Sequence, residues 1–292
     1  MSPSKSPIIL CELRDETKQK IDSYVEALRQ SAPRIGDHGL TDAEFWDSGL
    51  FRSAIEKIRG TQAATMEEKR GFVEAILDHL QSQSKIQGWT STGSGERHDY
   101  EVRLNNARIC AVETKGCLDG NNTNIFERPA NADEFVIWSL CQNPGSDPAH
   151  NAWSGIHTRL SAEIIHRKQI VNGVIIWDML CGTPGRPCPK LEQEPNRATP
   201  IGERRVPPPC IYLFPRTVPD VRNNPRPTTY VFSDVTFLEI LHSEFSGNSD
   251  DVVSVAIEVK MDESTVSRKT SYSRNGTLFS ESNWTKLKRA RS

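Results

Sequence analysis

The sequence predicts an α/β protein: a mixed central β-sheet flanked by helices, with N-terminal helices ahead of it and a proline-rich C-terminal elaboration behind. Three observations lead there. Residues 95–116 alternate β-branched or apolar with polar residues on both sides of Asn105-Asn106, the pattern of two strands joined by a turn. Residues 134–141 and 171–180 are apolar runs of strand length, and 155–169 between them carries Ile156, Leu160, Ile164 and Ile165 at helical spacing. A strand, a crossover helix and a strand behind a hairpin build a mixed sheet covered by helices.

Taken in order, residues 12–32 read as an amphipathic helix that stops near Pro33, and 41–59 as a second opened by the capping box Thr41-Asp42-Ala43-Glu44. A third, 65–82, opens on Thr65-Met66-Glu67-Glu68 and sets Val73, Ile76, Leu77 and Leu80 on one stripe. Gly88 to Gly95 reads as a Ser/Thr/Gly loop. Its Gly93-Ser94-Gly95 lacks the Lys-Ser/Thr of a phosphate loop, so no nucleotide cofactor is expected. The hairpin follows, then a Gly/Asn-rich loop at 116–131 and the strand–helix–strand unit. Twelve of the eighteen prolines fall between Pro184 and Pro227, interleaved with arginines, which predicts a long surface excursion without regular core structure. Beyond it come a short strand at 229–232, a helix at 234–245, a strand at 252–260, and a polar tail in which basic residues alternate with Tyr272 and Trp284.

Composition sets bounds. The chain has 292 residues, 36% hydrophobic and 25% charged, enough for one large domain with insertions or two small ones. It contains no apolar run near the ~18 residues a membrane span requires. The opening Met-Ser-Pro-Ser-Lys-Ser-Pro has no apolar stretch of signal-peptide length beside it, so a cytoplasmic protein is expected. Seven scattered cysteines form no Cys-x-x-Cys and no zinc spacing, and read as reduced thiols. A net charge of −2 gives no global nucleic-acid signature and leaves room for a metal-binding acid cluster beside local basic patches.

The chemistry concentrates at the hairpin. Its second strand ends in Glu113-Thr114-Lys115, and Asp99 lies fourteen positions before the glutamate. Period-two alternation puts Glu113 and Lys115 on one face, about 6–7 Å apart. Paired carboxylate oxygens suit Mg²⁺, a hard ion, and a neighbouring ammonium can orient a water or stabilise charge building on a phosphate. Register is the difficulty. A two-residue Asn105-Asn106 turn pairs Asp99 with Val112 and turns it away from Glu113, and Glu101 shares the face of Asp99. The site closes only with a three-residue loop or a β-bulge.

An acid, a gap, then Glu-x-Lys-Gly resembles the PD-(D/E)XK nuclease superfamily, and within it the type II restriction endonucleases; the likeness covers roughly residues 66–180. It departs from that pattern in having His98 where proline often stands. The resemblance implies a restriction-endonuclease-like core at 65–181 between an N-terminal helical region (1–64) and a Pro/Arg-rich insertion with a C-terminal β region (182–292) that packs on the core and contacts DNA. It implies Mg²⁺-dependent hydrolysis of phosphodiester bonds by an endodeoxyribonuclease, with Asp99 and Glu113 on the metal and Lys115 activating water. Glu74, on the helix before the motif, is an added metal ligand in this reading and a solvated glutamate otherwise. The partners implied are double-stranded DNA and a second copy of the chain on a palindromic site. Arg186, Arg204, Arg205, Arg268, Lys269 and Arg274 are the candidate DNA contacts, with a surface excursion and a basic tail as the plainer alternatives. His157, Arg159, His166, Arg167 and Lys168 could face phosphates or solvent.

A second Glu-x-Lys, Glu258-Val259-Lys260, has Asp220 as its one available acid, because Asp251 would stand about 23 Å from Glu258 along an unbroken strand. The chain after Lys260 shows no crossover helix, which favours the first motif. Two other functions remain open: a repair or recombination nuclease that reads DNA structure, and a non-catalytic DNA-binding protein.

Overall fold

The computed structural model describes residues 15–62, 66–92, 98–116, 127–141, 148–179, 181–182 and 187–287. Helices come first: α1 (Asp15–Ser31), α2 (Asp42–Asp47), α3 (Leu50–Gln62) and α4 (Met66–Ser82). The capping box at Thr41 and Glu44 is formed, each side chain bonding the other's backbone N–H. The helix expected over 41–59 is broken at Gly49, whose φ of +72° no helix interior accepts. Thr65 lies outside the described residues. α1 buries no side chain; α2 and α3 gather around Phe45, Trp46 and Phe51.

The strands are β1 (Ile86–Ser91), β2 (Tyr100–Leu104), β3 (Ile109–Lys115) and β4 (Glu134–Cys141). Next comes one continuous helix: α5 (Pro148–Gly155), a π turn (Ile156–Leu160) and α6 (Ser161–Arg167). It leads into β5 (Gly173–Asp178), then α7 (Pro189–Gln193), β6 (Thr199–Ile201), β7 (Arg204–Val206), β8 (Cys210–Leu213) and α8 (Thr236–Glu244). The chain closes on β9 (Val252–Asp262), β10 (Thr265–Arg274), β11 (Thr277–Glu281) and β12 (Thr285–Lys286).

Among the described residues ten strands form one mixed sheet in the order β1-β2-β3-β4-β5-β8-β9-β10-β11, with β12 paired to β10. β1 to β3 are antiparallel; β3, β4 and β5 are parallel, so their carboxyl ends share one edge. Alternation sorts the core. Val136, Trp138 and Trp177 meet α4 and α8, while Phe135, Ile137 and Val174 meet α5 and α6 on the other face. Covered on both sides, β4 and β5 read as unbroken apolar runs. On α4 the stripe Phe72, Val73, Ile76, Leu77 and Leu80 is buried, each side chain worth roughly 2 kcal/mol of transfer free energy.

Several expectations are corrected. The loop expected from Gly88 is in part a strand: β1 is polar and takes its stability from pairing with β2, with a register shift at Gly88 and Trp89 packed on Tyr100. The Pro/Arg-rich stretch contributes β8, a buried strand at the centre of the sheet. Pro207 and Pro208 sit just before it, where no N–H is required, and their carbonyls accept from Trp177 Nε1 and Lys190 Nζ. No strand forms at 229–232; Thr229 makes an isolated bridge to Pro215 and a 3-10 turn follows. The tail after 260 is the antiparallel run β9-β10-β11, turned at Asn275-Gly276, both at positive φ. No described helix is long and apolar enough to cross a membrane.

Candidate active site

The hairpin has the odd-numbered loop that the site requires. Leu104 N–H donates to Arg108 O at 2.9 Å and Ala107 N–H to Leu104 O at 3.0 Å, leaving Asn105, Asn106 and Ala107 as a three-residue loop with Ala107 at φ +66°. Tyr100 therefore pairs with Val112 and Val102 with Cys110. The paired register ends there, and just before β2 Asp99 N–H also donates to Val112 O at 3.0 Å, so Asp99 and Tyr100 both lie against Val112.

Around that pair the side chains are committed as follows. Lys115 Nζ lies 2.5 Å from Glu113 Oε1, with the Glu113 side chain 2% exposed. Asp99 Oδ2 accepts from both the backbone N–H and the hydroxyl of Thr114 at 2.6 Å, so the middle residue of Glu-Thr-Lys holds the first carboxylate in place. Tyr100 Oη donates to Glu74 Oε1 at 3.4 Å, a long bond that ties α4 to the hairpin. Burial first, then the negative charges of Glu74 and Asp99, push the Tyr100 phenol well above the ordinary tyrosine range. The two carboxylates therefore flank a tyrosine that stays protonated. Lys69, on α4, closes the other side: a Cβ on Gly116 would stand 3.7 Å from Lys69 Nζ. Ser139 Oγ donates to Gly116 O at 3.1 Å, anchoring the end of β3 to β4.

Glu113 and Lys115 are thus carried by β3, Asp99 by the residue just before β2, and Glu74 by α4, which Tyr100 ties to the hairpin. Yet no three His, Cys, Asp or Glu side chains gather as a metal-binding group among the described residues. The donors that remain are two carboxylates on one stretch of β3 and its neighbour, Asp99 bonded to Thr114 and Glu113 to Lys115, the oxygen chemistry that an ion such as Mg²⁺ takes when water and phosphate oxygens complete its shell.

Sequence reasoning missed Thr114, Tyr100 and Lys69, since nothing in a one-dimensional pattern shows which polar neighbour a carboxylate will bond. It also missed Asp178, a buried carboxylate ending β5 at the edge where β3 ends. His98, the departure from the expected proline, has both ring nitrogens buried without a hydrogen-bond partner.

The candidate DNA contacts separate into two groups. Arg204 is exposed on β7 with its guanidinium 5.5 Å over the Phe72 ring of α4, one turn from Lys69 and Arg70. Arg205 is exposed and donates to Pro195 O at 3.0 Å. Lys269 pairs with Glu281 at 3.2 Å. Arg268 is a correction: it is 4% exposed, and its guanidinium donates to the carbonyls of His157 and Thr158 and to Ser161 Oγ, closing the π turn. Arg274 is likewise buried, donating to Asp250 O at 3.2 Å. Neither presents its charge to solvent. Arg186 lies outside the described residues. On the helix, His157 is bonded to Thr270 and Thr285.

The rival motif sits elsewhere on the sheet. Glu258 faces Lys269 across β10 and pairs with Arg226 at 3.4 Å; Lys260 lies 4.5 Å over the Trp284 ring. Asp220 accepts from the backbone of Arg222 and Asn223 in its own turn, and those bonds hold its carboxyl below the usual range. Asp251 is buried against Lys190 and Arg197. No family model, curated protein or solved structure matches the chain.

Proposed function

We propose that this chain is a Mg²⁺-dependent endodeoxyribonuclease acting on double-stranded DNA, of the sequence-specific restriction type that its Glu-x-Lys motif resembles. The observation that carries the reading is the three-residue loop, which brings the Asp99 carboxylate onto Thr114 in the middle of Glu113-Thr114-Lys115. The helix–hairpin–strand–crossover helix–strand order supports it.

Asp99 and Glu113 would hold the ion. Bound there, Mg²⁺ would polarise the scissile phosphate and make water a stronger nucleophile. Lys115, which pairs with Glu113 in this structure, would orient the attacking water and offset negative charge on the phosphate. Thr114 keeps Asp99 aimed along the strand end. Tyr100, neutral and bonded to Glu74, ties that glutamate to the hairpin. Lys69 and Arg204 add positive charge beside it for the DNA backbone. Attack by water leaves no covalent link between enzyme and DNA. A palindromic site would be met by two copies of the chain.

A second reading, a DNA-binding protein without catalysis, draws on the Glu113–Lys115 pair and on the absence of a three-carboxylate cluster among the described residues. Incubating the protein with unmethylated phage DNA, with Mg²⁺ or with EDTA, separates the two. Discrete Mg²⁺-dependent fragments made by wild type and Glu258→Gln but not by Glu113→Gln establish the nuclease. Loss in Glu258→Gln alone moves the site to β9. DNA retention without cutting by any form leaves the binding protein, and cutting confined to branched substrates the structure-specific nuclease.

A further inference from the structure

Beyond the strand end, α4 and the β6–β7 ribbon enclose a cavity of about 330 Å³, the size at which small-molecule sites begin. α4 supplies Gly71, Phe72 and Ala75 to its wall; the ribbon supplies Ile201, Glu203 and Arg204. The Phe72 side is firm, since that ring is 4% exposed and stands edge-on to Trp177 with centroids 5.8 Å apart. Arg204 holds its guanidinium 5.5 Å over the same ring.

Packing explains neither of two features there. Gly71 sits inside α4, where glycine is among the poorest helix formers and a helical backbone does not require it; a Cβ added there would meet nothing within 4 Å. The Glu203 and Arg204 side chains both line the cavity, yet neither makes a hydrogen bond or ion pair among the described residues. One presents oxygens that only accept, the other a planar fork of N–H groups that only donate.

We propose that this cavity binds a guanine base. The O6 and N7 edge of guanine accepts two parallel bonds from an arginine fork, the part Arg204 is fitted for. The adjoining N1–H and N2–H₂ donate side by side to a carboxylate, which Glu203 provides. Adenine satisfies neither partner fully, because it carries a donor at N6 and an acceptor at N1, and each mismatch leaves a charged group short of a bond. Gly71 keeps open the space that the flat ring takes up, between Ala75 and Ile201. The chemistry is the same for a free nucleotide and for a base within DNA, and it calls on neither Asp99 nor Glu113.

The test is equilibrium binding to the full chain in EDTA, which keeps metal-dependent cutting out of the result. Calorimetry reads GMP against AMP, and fluorescence anisotropy reads labelled oligothymidine carrying one guanine against one adenine. Guanine should be preferred by at least about tenfold, the discrimination a good bidentate pair supplies. A preference seen with GMP marks a nucleotide site; a preference confined to the oligonucleotide marks a site for a DNA base. Equal binding of the guanine and adenine forms in both arms, or binding of neither, overturns the proposal. Arg204→Lys keeps the charge but loses the fork, so it should lose the preference; a mere phosphate contact would leave it intact. Gly71→Leu should fill the cavity and weaken guanine binding more than about tenfold, with a urea midpoint no lower than that of wild type. Unchanged guanine binding in Gly71→Leu rejects the site. Should that variant not fold, Arg204→Lys decides, since Arg204 stands exposed on the ribbon.

Discussion

Glu113 is a carboxylate buried to 2% exposure, and its contact with Lys115 sets what substitution there will do. Removing one partner leaves a charge in a poorly solvated place, so Lys115→Met should destabilise the fold by about 3 kcal/mol in urea titrations. As a nuclease the variant should cut at least about a hundredfold more slowly. The proposed ion on Asp99 and Glu113 would bind only the folded chain, so Mg²⁺ at about a hundred times its Kd should stabilise wild type by roughly 2.7 kcal/mol. Glu113→Gln should show no Mg²⁺-dependent rise in Tm; an equal rise would place the ion elsewhere. Tyr100 supplies a pH signature. Its folded pKa is raised above the unfolded value of about 10, so above that pH the unfolded chain loses a proton that the native chain keeps. The stability Tyr100 contributes is complete below about pH 10 and is lost as pH rises further. Tyr100→Phe should flatten that alkaline decline, leaving the part due to Tyr272, whose phenol burial also raises.

At the scale of the element, the hairpin shows what a sequence can and cannot disclose. Its strands are legible from alternation, and the demand for an odd loop follows from counting. The choice between a two- and a three-residue loop is not legible, because it turns on Ala107 taking a left-handed conformation that usually calls for glycine. Ala107→Gly should therefore stabilise the protein by about 0.5–1 kcal/mol without moving the register, measured by urea unfolding. The helix expected over 155–169 was visible in its apolar spacing, but its π turn was not. The donors that satisfy that turn come from Arg268, more than a hundred residues away and on paper a DNA contact. Arg268→Met should cost about 3 kcal/mol by leaving carbonyls unpaired, and Arg268→Lys should recover only part, lacking the forked donor. Strand β1 was hidden because its partner supplies most of the apolar surface, and β8 because prolines surround it.

For the molecule as a whole, the sheet does not end where the motif-bearing core ends. β8 pairs with β5 on one side and β9 on the other, so the segment that composition marks as an excursion completes the centre. Strand β5 is buried on both faces; without β8 it would become an exposed apolar edge open to pairing with other chains. The N-terminal helices stand in the opposite relation, since α1 buries no side chain and α2 and α3 pack on their own aromatic cluster. Two truncations test this asymmetry. A chain beginning at Met66 should keep one cooperative urea transition with a midpoint close to that of the full protein. A chain ending before β8 should lose the near-ultraviolet dichroism of the Trp138–Trp177 stack and associate in light scattering. A soluble, cooperatively folding fragment that stops at residue 181 would instead make the core an independent domain, with the later strands added at its edge.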